Sequence, residues 1–172
     1  GQELVEIAEE DMPLIGKITE ITEHQLEQAI WFERGLRHGE KDEHPHQKDL
    51  FHQSINHFED LSKQVDKELV EGEQIVQHAI KNASSEQSVK EFEKVFSQIK
   101  QIESGHRDYH DHATDIFEKL KQGKVAEALK LSSKIEAAEE KLNHKLKLFL
   151  KEIEKFTEES LLHAEKEEYR TI

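Results

Sequence analysis

The apolar residues of this chain recur every three or four positions through four long segments, and this spacing is the feature that most constrains its fold. It places the apolar side chains of each segment on one face of an α-helix. Only two of the 172 residues are proline, and the abundance of Ala, Glu, Lys, Leu and Gln also favours long helices over sheets. A net charge of −14 would suit a disordered chain as well, but the regular spacing predicts a folded, all-α domain.

Proline, glycine and short polar residues mark the limits of these helices. Pro13 lies early in the first segment, where it could open or kink a helix, and Gly39 precedes the polar run that ends the segment. Ser84 and Gln87 have the spacing of a capping box before the third helix, and Gly123 is placed to end that helix. The predicted helices span about 4–38, 46–81, 85–121 and 124–170.

The length of these segments predicts their arrangement. Each has roughly 35 to 45 residues, or about 55 to 65 Å at 1.5 Å per residue. Short connections make neighbouring helices antiparallel, so we predict a single domain, an antiparallel up-down-up-down four-helix bundle. The first and last helices then begin and finish at the same pole. The final stretch contains neither glycine nor proline, so we expect the last helix to continue in a longer parent protein.

Composition excludes several classes of function. The acidic balance leaves no basic stripe for nucleic acid, and there is no cysteine for disulfide or thiol chemistry. No run of about 18 apolar residues is present, so nothing within the sequence is expected to cross a bilayer. Neither a Ser-His-Asp arrangement nor a Gly-rich phosphate loop can be assigned. We therefore expect a protein that is not an enzyme.

Polar residues interrupt the apolar stripe at one height of the predicted bundle. Glu103, His106 and His110 occupy stripe positions in the third helix. Counting residues from the helix ends brings polar side chains of the other three helices to a similar level, with Ser62 joining from the second. The predicted buried site comprises Gln25, Gln28, Glu103, His106, His110 and Glu139.

Three interpretations of this layer follow from the chemistry of its side chains. The residues can hydrogen-bond one another and set the register of the bundle, or they can bind a small molecule. The third is a metal site, because His106 and His110 are four residues apart on one helix face. A buried carboxylate needs a partner, and protonated His106 or His110 would provide one and make the layer sensitive to pH.

A specific spacing of Glu and His residues supports the metal interpretation. Glu103 and His106 form a Glu-x-x-His pair, the unit of di-iron carboxylate bundles. The second such pair is missing, as are the partner pairs expected of a hemerythrin-like protein. The predicted ligands of a transition metal, iron or zinc, are His106, His110, Glu103 and Glu139, and a metal-binding helical bundle is the alternative function.

Two stretches resemble a known family. "EIAEEDMPLIGKITEITEHQLEQAIWFERGLR", residues 6–37, is similar to the opening of the extracytoplasmic sensor region of bacterial methyl-accepting chemotaxis proteins. "HAEKEEYRTI", residues 163–172, is similar to the approach to the second transmembrane helix of that family. The two stretches cover about a quarter of the chain, and neither contains a sharp motif.

The resemblance implies a periplasmic ligand-binding domain of a transmembrane receptor, anchored in the inner membrane by flanking helices. It implies a homodimer that passes a ligand-induced helix shift to cytoplasmic signalling parts, which this sequence lacks. Family members that bind aspartate hold its carboxylates with arginines near the distal end of the dimer. Arg34 and Arg37 lie there, with Trp31 nearby, and are added to the predicted ligand-binding residues. No motif transfers the aspartate site itself.

Overall fold

The computed structural model describes residues 2–41 and 44–170, with side chains at 12–41, 44–155, 157, 158, 161, 162 and 165. Within them the chain forms four α-helices and no strand, which confirms the predicted all-α four-helix bundle. Their bounds agree with the predicted ones to within a few residues. The helices are α1 (Gln2–Glu40), α2 (Pro45–Lys81), α3 (Glu86–Lys121) and α4 (Val125–Arg170).

Contacts between helices establish the antiparallel order. Lys17 Nζ lies 2.6 Å from Glu71 Oε2, whereas His38 Nδ1 lies 2.8 Å from Gln47 Oε1, so residue numbers rise along α1 as they fall along α2. Pairs between α2 and α3 and between α3 and α4 have the same reversed order. The helices therefore alternate in direction, and α1 and α3 run parallel to each other.

Each helix packs against the next along the chain, α4 packs back against α1, and α1 meets α3 across the centre. We call the end that carries the α1–α2 and α3–α4 connections the distal pole, and the other end the proximal pole. The start of α1 and the end of α4 lie at the proximal pole. Among the described helices, none is both long and apolar enough to cross a membrane.

The ends of α3 show how local sequence limits a helix. The capping prediction was wrong by one residue: the N-cap is Ser85, whose hydroxyl oxygen accepts a hydrogen bond from the Ser88 N–H at 3.1 Å. The predicted C-terminal cap is confirmed, because Gly123 has a φ of +75°, which suits a residue without a Cβ. Its N–H donates to Leu120 O, and the next N–H to Lys119 O, closing a Schellman motif. Pro13 lies inside α1 rather than at a helix start.

The distal half of the core is aromatic. The rings of Phe32, Phe51, Phe58, Tyr109 and Phe117 have neighbouring centroids 5.3 to 6.5 Å apart, mostly in the tilted and edge-on arrangements that aromatic pairs prefer. Space for them depends on α1, since a Cβ on Gly35 would lie 2.9 Å from Phe117 Cε1. This packing holds the helices in register just distal to the polar layer.

Candidate functional site

A buried polar layer crosses the middle of the bundle and is centred on His106. The side chain of His106 lies in the core, with only 2% of the residue exposed, and Gln25 and Ser62 beside it are also buried. Gln25 Oε1 lies 3.3 Å from His106 Nδ1, and Ser62 Oγ lies 3.3 Å from His106 Nε2. The layer therefore joins α1, α2 and α3 through one imidazole ring, as the helical spacing of these residues predicts.

The partners of His106 define its hydrogen bonding. An amide carbonyl oxygen can only accept, so Nδ1 donates to Gln25 Oε1, and Nε2 of the neutral ring accepts from the Ser62 hydroxyl. Burial lowers the pKa of His106 below its usual value of 6.5, and the opposing effects of Asp66 and Ser62 are smaller. The direction of this shift favours the neutral ring, not the protonated histidine suggested above as a partner for buried glutamate.

On one side the layer opens into a groove between α2 and α3, which we call the α2/α3 groove. Asp66 Oδ1 lies 3.3 Å from His106 Nε2 at its floor, and the groove has a volume of about 540 Å³. Its walls combine carboxylates, cations and one valine. The lining residues are Glu59, Ser62, Lys63, Asp66, Val70, Glu73, Lys100, Glu103, His106, Arg107 and His110.

Two charged clusters flank His106 within this groove. His110 Nε2 lies 2.9 Å from Glu59 Oε2 on its distal side. On the proximal side, Lys100 Nζ lies 3.2 Å from Glu73 Oε1 and 3.9 Å from Glu103 Oε2. The pKa of Glu73 is raised, first by burial and then by a hydrogen bond to the Glu103 carboxyl group, although Lys100 opposes the shift. The groove therefore places carboxylates, which accept hydrogen bonds, and a lysine, which donates them, around a buried imidazole.

The structure separates five residues of the predicted layer into three places. Gln25 and His106 meet in the core, whereas Glu103 and His110 are half-buried in the α2/α3 groove. Glu139 does not belong to either group, because its electrostatic neighbours are Tyr109, Glu33, Glu136 and Glu140 at the seam between α1 and α4. The single layer that residue counting predicts is thus divided between opposite sides of the bundle.

Gln28 is fully buried, as predicted, but it does not join His106. It lies one turn distal to Gln25 on the same face of α1, with an exposure of 0%. Within the described part of the chain, neither its Oε1 nor its Nε2 atom has a hydrogen-bond partner.

The predicted metal set is not assembled. Glu139 lies on the far side of the core from Glu103 and His110, and both ring nitrogens of His106 already contact side-chain oxygens. Among the described residues, no group of three or more His, Asp or Glu side chains is arranged to hold a metal ion. The spacing of His106 and His110 is that of a metal site, but the other ligands required by that interpretation do not converge.

Arg34 and Arg37 lie away from the groove. The Arg34 guanidinium stacks over the Trp31 ring at 4.6 Å, and this indole in turn stacks on the His57 ring at 4.1 Å. Arg37 is exposed in the last turn of α1. Arg34 therefore belongs to a stacked surface patch at the α1–α2 seam.

Sequence reasoning missed the acidic residues that line the groove from α2, namely Glu59, Asp66 and Glu73. They flank the apolar stripe, so a search restricted to stripe positions omits them, although their spacing of seven residues was a visible signal. It also missed a second buried polar contact, in which the buried Glu68 lies 2.7 Å from His24 Nδ1.

Comparisons with protein-family models, with curated proteins and with solved structures found no match to this chain. The resemblance to chemoreceptor sensor regions therefore stays a prediction that depends on the two stretches quoted for it.

Proposed function

We propose that this chain is the ligand-sensing domain of a transmembrane chemoreceptor, without catalytic activity, and that it binds a small polar molecule in the α2/α3 groove. One observation carries the proposal. His106 reaches the groove floor with one ring nitrogen and contacts Gln25 of the diagonal helix α1 with the other. A molecule bound in the groove can therefore act on α1 through the core.

Few contacts connect a ligand in the groove to α1, because His106 alone lies between the groove and Gln25. A ligand group that donates to Asp66, or competes for His106 Nε2, changes the charge and hydrogen bonding of the imidazole. The other side of the ring then holds Gln25 Oε1 more strongly or more weakly, which biases the position of α1. Because α1 and α4 pack together and share the proximal pole, a shift between them is the proposed output to cytoplasmic signalling parts.

The proposed location is the periplasm, with flanking membrane helices as anchors, and it is supported by the resemblance alone.

A homodimer has separate support from α1. Leu26 and Ile30, one turn apart on its outer face, are 49% and 51% exposed, and covering them would remove apolar surface from water. Sedimentation should give a concentration-dependent mass that Leu26→Ser with Ile30→Ser abolishes; an unchanging monomer mass contradicts the dimer.

A thermal-shift screen of amino acids, dicarboxylates, amines and metal ions tests the groove. A groove ligand should raise the Tm of the wild type. Its affinity should fall at least about tenfold in Asp66→Asn or in Lys100→Met, since either loss removes a charged hydrogen bond of about 1.5–3 kcal/mol. Asp108→Asn is the matched control, because it makes the same change at an exposed position of α3 outside the groove.

Two results would overturn this assignment. The first is a screen in which no compound raises the Tm. The second is a ligand whose affinity is the same in wild type, Asp66→Asn and Lys100→Met, since it must bind elsewhere.

Transmission to α1 can be measured separately, because the chain has no cysteine. Spin labels at Glu23→Cys and Lys151→Cys, on exposed positions of α1 and α4, report the distance between the two helices. We expect ligand to change this distance in the labelled protein but not after Gln25→Leu. An identical distance change after Gln25→Leu would exclude the His106–Gln25 route.

A further inference from the structure

Three carboxylates of α2 face three basic side chains of α3 across the α2/α3 groove. The pairs are Glu59 with His110, Asp66 with His106 and Glu73 with Lys100, at 2.9, 3.3 and 3.2 Å. Lys100 provides a lysine for Glu73, whereas Glu59 and Asp66 face histidines. Within the described residues, neither Glu59 nor Asp66 forms an ion pair with a lysine or an arginine. Two groove carboxylates therefore depend on histidine alone for a counter-charge.

His106 supplies no counter-charge to Asp66, because its ring is neutral. Nδ1 donates to Gln25 Oε1, so Nε2 of the neutral ring carries no hydrogen and accepts from the Ser62 hydroxyl. Asp66 Oδ1 lies 3.3 Å from this nitrogen, and two acceptors have no hydrogen between them. Burial lowers the pKa of His106 below 6.5, which favours the neutral ring at neutral pH. Asp66 therefore presents an uncompensated negative charge at the groove floor.

Glu59 and Asp66 have a fixed spacing along the groove. They are seven residues apart on α2, close to two helical turns, so they lie on one side of the helix and about 10.5 Å apart along its axis. Both line the same cavity of about 540 Å³. Lys63 also lines it but is exposed, so its flexible side chain can extend into solvent. Two negative charges at a defined distance thus face one cavity.

We propose that the α2/α3 groove binds a linear diamine, with one ammonium group at Asp66 beside His106 and the other at Glu59. The inference rests on the function proposed for the groove and names the chemical class of its ligand. Each primary ammonium group offers three N–H donors, and hydrogen bonds between charged groups are stronger than neutral ones. An extended chain of seven or eight methylene groups matches the spacing of the carboxylates. A single metal ion cannot reach both, since they lie about 10.5 Å apart along α2.

Isothermal titration of the full chain with 1,8-diaminooctane, at neutral pH and fixed ionic strength, tests the proposal. 1,3-Diaminopropane controls for the charge of a dication, because a chain of net charge −14 attracts cations in general. Octylamine controls for the apolar chain, since it carries a single ammonium group. We expect 1,8-diaminooctane to bind at least about tenfold more tightly than either, since it alone makes charged hydrogen bonds at both ends.

Variants locate the two ammonium groups. Asp66→Asn and Glu59→Gln should each lower the affinity for 1,8-diaminooctane about tenfold, towards that of octylamine. Asp108→Asn and Glu154→Gln make the same changes at exposed positions outside the groove and should bind like the wild type. Lys63→Met should not weaken binding, because it removes a competing cation from the groove. Circular dichroism establishes that each variant stays folded.

Equal affinity for the eight-carbon and three-carbon diamines would overturn the proposal, as expected for diffuse attraction to an acidic chain. So would binding that is unchanged in Asp66→Asn and Glu59→Gln, or weakened in Lys63→Met. A different compound whose binding depends on Asp66 or Lys100, with no binding of the diamine, would contradict the diamine and leave the sensing function intact. Diamine binding that depends on Asp66 and Glu59 without a change in the α1–α4 distance would retain this site and contradict the sensing function.

Discussion

Gln25 of α1 and His106 of α3 join diagonally opposite helices across the core, with Gln25 Oε1 3.3 Å from His106 Nδ1. Both residues are almost completely buried. A bond between diagonal helices does not depend on the seams between neighbours, so it couples the two halves of the bundle directly. Because both partners are side chains, substitution can measure how much this hydrogen bond contributes to the free energy of unfolding.

A double-mutant cycle should measure this coupling. His106→Leu and Gln25→Leu each leave a buried polar partner unsatisfied, so each should lower the free energy of unfolding by about 1–3 kcal/mol. The double variant replaces both partners with apolar groups and should cost less than the sum of the two. Urea unfolding of the four proteins provides the test. Strict additivity would show that Gln25 and His106 do not interact.

The pH dependence of stability should reveal the shifted pKa of His106. Burial lowers this pKa below 6.5 in the folded state, so the unfolded chain takes up the proton first as the pH falls. The wild type should therefore lose stability relative to His106→Leu as the pH falls below 6.5 towards the folded pKa, and the difference should be constant above 6.5. Urea midpoints measured across pH 5 to 8 test this, and a difference independent of pH would contradict it.

Glu139 should make stability depend on pH in the opposite direction to His106. Its pKa is raised above 4.5, first by burial and then by Glu33, Glu136 and Glu140. The stability linked to this shift is present below pH 4.5 and is lost as the pH rises through the folded pKa. We therefore expect Glu139→Gln to unfold at higher urea than the wild type at pH 7, with a smaller advantage near pH 4.5. Glu154→Gln controls for the loss of one negative charge.

Substituting alanine at two glycines of α1 should change the stability of the bundle in opposite directions. A Cβ at Gly35 would lie 2.9 Å from a ring carbon of buried Phe117, so Gly35→Ala should destabilise the bundle by about 1–3 kcal/mol through overpacking. Gly16 has nothing within 4 Å of its Cβ position, so Gly16→Ala should stabilise it by about 1 kcal/mol through helix propensity. Thermal unfolding measures both, and a stabilising Gly35→Ala would refute the close packing of α1 on Phe117.

Helical periodicity was sufficient to predict which of the candidate site residues are most deeply buried. Gln25, Gln28 and His106 lie near the centre of their stripes, and a residue at the centre faces the core whichever helices surround it. Their burial therefore follows from the 3.6-residue period alone. Glu103 and Glu139 lie to one side of their stripes, and such residues face a seam rather than the core.

The sequence by itself determined four long helices, their alternating directions and the polar residues placed in the core, because each depends on spacing within one helix or on the length of a connection. Only the tertiary structure decided that Glu103 and His110 meet Asp66 and Lys100 in one groove while Glu139 joins Glu33 at the opposite seam. Which seam a flanking residue faces depends on the neighbours on either side of its helix. The periodicity of one helix does not encode that arrangement, which emerges only when all four helices pack.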